Sequence, residues 1–334
     1  MTFDVLEPGL LDTVQDAGRP DWGHLGVPVG GACDRWGLAV ANRLLDNPPA
    51  AAALEMTLVG PVLAVRETST IGLAGADLGG IERPTGRRLV PGRAYRVEAG
   101  ITIAFPGGAT GDARGYLALP GGIDVPPVLG SSSTLLAAGL GGFDGRALAV
   151  GDRLVGRGST TGASGGAIAD RIWPGPSAAP REPAGVLRVI RGPHAERLGH
   201  EAFDALMATA WTVANATDRM GARLDGTPVP IGGDPSLLSH GVVTGAVQVP
   251  ADGRPIVLLA DRQTTGGYPV VAVVITADLA AAGQLRPGAG VRFREVSLPA
   301  ARAALVAQRA VWDAASAALG EATGWDELWR SAGG

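Results

Sequence analysis

The stretch from Asp261 to Pro269 reads DRQTTGGYP and lies between two apolar runs, PIVLLA and VVAVVIT. A turn between buried strands needs only two or three specialised residues. This one carries far more. Arg262 and Gln263 offer planar, forked hydrogen-bonding groups suited to amides and carboxylates, and Thr264 and Thr265 add hydroxyls. Tyr268 adds a flat face, while Gly266 and Gly267 let the backbone come close to a ligand. A plain connection would not need this inventory.

Four more clusters have comparable chemistry. In DTVQDAGR, Gln15, Asp16 and Arg19 fall within five residues, so that Gln and Arg donors can converge on a carbonyl or carboxylate; the plain alternative is that Asp16 and Arg19 pair locally. In LAGADL, Asp77 is an acid at an apolar strand end, either a general base or a turn former. In TDRMGARLDG, Arg219 and Arg223 lie four apart, and in GAVQVP, Gln248 alternates with Val247 and Val249. If the valines face a core, Gln248 faces the opposite side, toward solvent or a cleft.

Other familiar chemistry is excluded. GLGGFDG (139–145) is followed by the strand-like RALAVGDRLV and not by the helix a phosphate loop requires, so it reads as a turn. GSSST (130–134) lacks the glycine two places after the serine that a nucleophile elbow needs. His24, His194, His200 and His240 show no metal-ligand spacing, and the single Cys33 has no cysteine partner, so no metal site is expected. All 28 basic residues are arginine. Without lysine there can be no Schiff base, no phosphate-loop lysine and no covalently carried biotin or lipoate on this chain.

Glycine at 52 of 334 residues, with no collagen-like period, implies many turns between short strands, and the length allows two cores. Runs from Val59 to Val155 suit a barrel or sandwich, and strands resume at VLRVIRGP; the Gly-, Ser- and Pro-rich 156–185 reads as a linker. Helices are expected over WGLAVANRLLD with Asp34 as cap, over roughly 195–208, and over 297–319. LVPGRAYRV, LAVGDRLV and LRPGAGVRF echo one another as a turn leading into a closing strand, which supports duplication. A net charge of −4 without a basic run argues against nucleic acid or an anionic membrane as partner. No basic-then-apolar leader and no run of ~18 apolar residues is present, so a soluble cytoplasmic protein is expected.

The ordered motifs TVQDAGR, GGACDRW, ALE, LAGADL, GGID, GSSSTL, RVIRGP, DRMG-x-RL and TGAVQVPADGRPIVLLADRQTTGGYP resemble the biotin-dependent carboxyltransferase family, also called allophanate hydrolase subunit 2. The resemblance covers about residues 3 to 298. It implies a mostly β chain of two cyclophilin-like β-barrel domains, 1–155 and 186–298, with a few packing helices and a C-terminal helix and tail at 299–334. It also implies work in a complex. Bacterial members include the C subunit of an ATP-dependent 5-oxoprolinase, which acts with a B subunit, the kinase-inhibitor homologue, and a LamB/YcsF-like A subunit to open 5-oxo-L-proline to L-glutamate. Related urea carboxylases move a carboxyl group to a urea nitrogen from biotin, which would here ride on a separate carrier. A third implied role is a non-catalytic antagonist that binds the kinase-inhibitor homologue.

For a small amide substrate, the expected catalytic residues are Asp16, Asp77, Gln248 and Arg262, and the expected binding residues are Gln15, Arg19, Arg219, Gln263, Thr264, Thr265, Gly266, Gly267 and Tyr268. ATP is expected at the level of the complex. One departure from the family pattern is His240, in Ser-His-Gly, where a glutamate is common.

Overall fold

The computed structural model describes residues 1–108, 111–158, 168–183, 185–232, 237–319 and 325. The chain divides into two compact units, the first built mainly from Met1–Arg19 and Gly30–Ala178, the second from Pro20–Val29 and Ala179–Arg309. From Ala310 the C-terminal helix counts with the first unit.

Each unit has the core expected from the strand pattern. In the first, two five-stranded antiparallel sheets form: Arg153–Val155, Thr2–Glu7, Val62–Val65, Thr102–Ala104 and Ile81–Arg83 in one, and Asp12–Gln15, Ala53–Thr57, Arg114–Ala118, Ser69–Gly75 and Arg93–Val97 in the other. Alternate residues such as Phe3, Val5, Leu54, Met56, Leu63 and Leu117 enclose a common core. In the second unit, seven strands close into a barrel in the order Val186–Arg191, Val270–Val274, Ala246–Gln248, Ile256–Leu258, Gly221–Asp225, Trp211–Val213 and Gly290–Glu295. The ring is completed by a parallel pairing, Val186 opposite Arg292, while its other neighbours run antiparallel. Val189, Val247, Val249, Val257 and Val271 pack inside.

The echoed motifs share a backbone device. Gly92, Gly151 and Gly288 have φ of 80°, 89° and 81°, and each precedes a strand, Arg93–Val97, Arg153–Val155 and Gly290–Glu295. A left-handed residue reverses the chain there with no Cβ to clash.

Helix α1 (Arg35–Arg43) starts where Asp34 was expected to cap it: its Oδ1 accepts the Gly37 N–H at 2.9 Å. It lies on the second sheet so closely that a Cβ on Gly72 would meet the Ala41 carbonyl oxygen. Helix α2 spans His200–Ala208, shorter than the periodicity of 195–208 suggests; Gly199, at φ 92°, cannot continue a helix backward. A short helix α3 (Leu279–Gly283) follows the barrel strand Val270–Val274, and α4 covers Leu298–Ala318. In the first unit Trp312 of α4 meets Trp36 edge-on at 5.5 Å and Trp173 at 5.2 Å. Trp173 falls in the stretch read as a linker, and so does Ile172, which bridges to Arg93. Composition showed no alternation there, yet irregularly spaced apolar anchors fix residues 168–176. Residues 159–167, 184, 320–324 and 326–334, which include most of the expected tail, lie outside the described residues.

Asp12, only 1% exposed, accepts the Gly9 N–H, and burial pushes its carboxyl up to about 7. Between the ordinary value of 3.8 and about 7, the native chain keeps a proton that the unfolded chain has released. Stability therefore falls as pH rises through this window, by on the order of 4 kcal/mol, and levels off above it. Asp12→Asn, which keeps an acceptor for Gly9, should flatten that slope in denaturant titrations run from pH 4 to 8.

Candidate functional site

In the first unit, Gln15 ends its strand buried, and its Nε2 donates to Thr13 Oγ1 at 3.0 Å and to the Thr134 carbonyl at 3.1 Å. Asp16 follows. Its Oδ1 accepts from Gly18 N, Ser131 Oγ and Ser133 Oγ, and its Oδ2 accepts from Ser132 N, all within 2.5–2.7 Å. A carboxylate has about four good acceptor positions. Here three of them hold the GSSST loop and the fourth takes the Gly18 N–H, so that Asp16, expected from sequence as an acceptor or base, clamps two stretches of backbone. Arg19, 1% exposed, extends the clamp: its guanidinium donates to the Ser133 carbonyl at 2.5 Å and to the Val128 carbonyl at 3.4 Å. In place of a local Asp16–Arg19 pair, the two residues share a grip on one loop.

The GLGGFDG turn packs against the same loop, since Cβ atoms on Gly141 and Gly142 would strike Ser133 O and Thr134 Oγ1. That space is filled by protein and offers no phosphate cradle. Asp77 belongs to a separate hydrogen-bonded group: Oδ1 accepts the Gly79 N–H at 2.9 Å, and Oδ2 meets the exposed Arg88 at 3.2 Å. This is the turn-forming geometry.

Sequence reading missed one buried group in this unit. Glu55 and Tyr116 stand directly opposite on neighbouring strands. Tyr116 Oη donates to Glu55 Oε2 at 2.7 Å and accepts the Asp34 N–H at 2.8 Å; Cys33 N–H also reaches Glu55 Oε2 at 2.9 Å, and Arg114 lies 3.6 Å from Oε1. Burial first, then Glu55, pushes the Tyr116 hydroxyl well above its ordinary value, so it stays a proton donor. The group pins the loop that leads into α1. Its bonded partners are 22 to 82 residues apart, and the one available signal was a Glu and a Tyr in two apolar strands, on the face opposite Leu54, Met56 and Leu117.

The second unit gathers the larger share of the predicted residues. Arg219 and Asp261, 3% and 4% exposed, form a forked ion pair, Nε to Oδ2 and a terminal nitrogen to Oδ1, each 2.9 Å. The backbone joins too, Asp261 N–H to the Arg219 carbonyl at 2.9 Å. The fork thus anchors the start of DRQTTGGYP. Arg223, by contrast, sits exposed in the strand Gly221–Asp225.

Beyond the anchor, Arg262 is 3% exposed, and burial lowers its guanidinium from the ordinary value; one nitrogen donates to the Gln263 carbonyl at 3.3 Å. Thr265–Gly266 then pairs with His240–Gly241 as a two-stranded ribbon, with Thr264 O accepting the Val242 N–H at 3.0 Å. Beside the ribbon, Val242, Ala246, Leu258 and Val270 make an apolar cluster of their own, distinct from the barrel core. Gln248 alternates into that outer face and is 1% exposed, so it faces neither solvent nor the barrel core.

Here the predicted residues meet. Gln248 Nε2 donates to the Tyr268 carbonyl at 3.4 Å, and Gln263 Nε2 donates to Gln248 Oε1 at 3.4 Å. A Cβ on Gly266 would lie 2.8 Å from Gln248 Nε2 and 3.2 Å from Gln263 Nε2, so only glycine lets the ribbon pass over both amides. Gly267 is bound on its other side, its carbonyl accepting the Leu237 N–H at 3.1 Å. Tyr268 is 48% exposed, and Thr265 is exposed as well. Two long, weak hydrogen bonds between adjacent amides are readily exchanged for stronger ones to a planar ligand. Among the described residues no group of three or more His, Cys, Asp or Glu could hold a metal ion, and no helix is long and apolar enough to cross a membrane.

A mostly β chain with a closed seven-stranded barrel has its structural neighbours among carboxyltransferase domains. Residues 25–295 match the model of the carboxyltransferase domain, subdomain A and B, and the chain belongs to that family. It is 36% identical to the 5-oxoprolinase C subunit of Escherichia coli over 295 residues, 88% of this chain and 91% of that one. It is 33% identical to the protein of the same name from Haemophilus influenzae, covering 89% and 92%. Among solved structures it superposes on the Kluyveromyces lactis urea carboxylase with a TM-score of 0.82 at 28% identity, spanning 96% of this chain but only 29% of that larger enzyme.

Arg219→Ala would strand the buried Asp261 charge and should cost about 3–5 kcal/mol in denaturant unfolding. Gly266→Ala should behave differently. The atoms it displaces are the mobile ends of Gln248 and Gln263, so stability should change by under about 1 kcal/mol while the paired amides are pushed out of register.

Proposed function

We propose that this chain is the amide-recognising C subunit of an ATP-dependent 5-oxoprolinase that opens 5-oxo-L-proline to L-glutamate. The observation that carries the reading is the side-by-side pair Gln248 and Gln263 beneath Gly266. Near end-to-end likeness to proteins named as 5-oxoprolinase C subunits supports it. 5-Oxoproline is a planar lactam with a carbonyl oxygen, an N–H and a carboxylate. The glutamine N–H groups can hold the carbonyl oxygen, and fixed donors at that atom stabilise the negative charge it gains as the amide is attacked. Arg262, buried and planar, suits the carboxylate. The exposed Tyr268 ring offers a face to the lactam ring.

ATP supplies the energy for opening an otherwise stable amide. The glycine turn of this chain is filled by Ser133 and Thr134 and does not fit a nucleotide phosphate; in this reading ATP acts at the level of the complex formed with the kinase-inhibitor homologue and the LamB/YcsF-like protein. A second reading is favoured by the likeness to urea carboxylase: a carboxyltransferase for urea or a similar amide. The paired amides also fit the ureido ring of biotin, whose chemistry is to deliver a carboxyl group; with no lysine here, biotin would come on another carrier.

The test is to co-express the chain with the kinase-inhibitor homologue and the LamB/YcsF-like protein and follow ATP-dependent glutamate release from 5-oxoproline. Gln248→Ala and Arg262→Ala should each lower kcat/KM about tenfold or more, and Gly266→Ala should do likewise while the complex stays folded. Wild-type rates in both Gln248→Ala and Arg262→Ala would rule the site out. Carboxyl transfer from carboxybiotin to urea, without oxoprolinase activity, would establish the second reading.

A further inference from the structure

Two histidines stand beside the glutamine pair. His194 and His240 meet edge to face, ring centroids 4.7 Å apart at 63°. His240 is the antiparallel partner of Gly266. Directly paired residues in such a ribbon project to the same face, with Cβ positions about 5 Å apart. The Cβ position of Gly266 is 2.8 Å from Gln248 Nε2 and 3.2 Å from Gln263 Nε2. The His240 side chain therefore leaves the ribbon on the face that holds both amides.

The backbone sets the tautomers. Val270 N–H donates to His194 Nδ1 at 3.2 Å, so that nitrogen carries the lone pair and the proton of the neutral ring is on Nε2. Burial, then His240, then Arg197 push His194 below its ordinary value, which favours the neutral ring. His240 is the reverse. Its Nδ1 lies 3.4 Å from the Leu238 carbonyl, which can only accept, so in the neutral ring Nδ1 takes the proton and Nε2 the lone pair. That Nε2 is buried and has no hydrogen-bond partner among the described residues. A buried acceptor without a donor is costly unless something else satisfies it. The tautomers also argue against a metal pair, because His194 Nε2 holds its proton as long as Val270 occupies Nδ1.

We propose that His240 Nε2 accepts the N–H of a small secondary amide bound against Gln248 and Gln263, and that His194, packed on its ring, is a positioning residue. Resting on the amide-site reading above, this assigns the acceptor that the glutamine donors need for a lactam or ureido edge, where C=O and N–H lie side by side. The site then favours ligands bearing an N–H.

The assembled complex can be titrated calorimetrically, without ATP, with 5-oxo-L-proline and its N-methyl derivative. Wild type should bind the N–H form about tenfold or more tightly. His240→Phe should keep the ring but bring the two ligands within about threefold of each other, whereas His240→Gln, which restores an acceptor near the Nε2 position, should keep the preference. By 15N NMR, His240 Nε2 should appear unprotonated in the free protein and shift when 5-oxoproline is added. Retained preference in His240→Phe, with Gln248→Ala still weakening 5-oxoproline, would overturn the role of His240 alone. Binding of 5-oxoproline indifferent to Gln248→Ala would overturn the amide site, and this assignment with it.

Discussion

The buried fork between Arg219 and Asp261 is the constraint on which the second unit's site depends. It joins the entry to one barrel strand to the exit from another, with the backbone bond from Asp261 to Arg219 alongside. Two charges taken out of water must satisfy each other, so their geometry is rigid. Everything downstream takes its position from that point: Arg262 buried, Gln263 turned toward Gln248, and the Thr265–Gly266 ribbon laid over the outer face of the barrel.

The first unit uses the same principle for a different end. Asp16 spends three of its four accepted hydrogen bonds on the loop of three serines and the fourth on Gly18 N–H, and Arg19 adds two carbonyls from the serine-loop region. Glu55, Tyr116 and the backbone of Cys33 and Asp34 do the same at the start of α1. Polar residues in these Gly-rich loops thus replace the regular ladder, satisfying backbone groups that would otherwise be buried alone. Motifs of this kind look catalytic in sequence because catalysis and loop-holding draw on the same residue types.

That overlap explains what could be read in advance. The strands, the two cores, the cap at Asp34 and the cluster around DRQTTGGYP follow from local pattern, because periodicity and turn chemistry act over a few residues. The roles of Asp16 and Asp77 were open, because a carboxylate's role depends on which donors reach it, and three of the four that reach Asp16 lie 115 to 117 residues away. Trp173 and Ile172 were hidden by composition, since an anchor needs only one apolar residue where the fold has room for it.

By itself the sequence determined the inventory: no lysine, one cysteine, strand-forming periodicity, and amide- and carboxylate-binding side chains at glycine-rich strand ends. Tertiary structure decided which of these meet. It spent Arg219 on Asp261 and Asp16 on three serines, while it set Gln248, Gln263 and His240 on one face around a missing Cβ. The reason is physical. Residue type fixes what a group can bond, but burial and register, set by contacts distant in the chain, fix which partner is within 3 Å and which lone pair is left over.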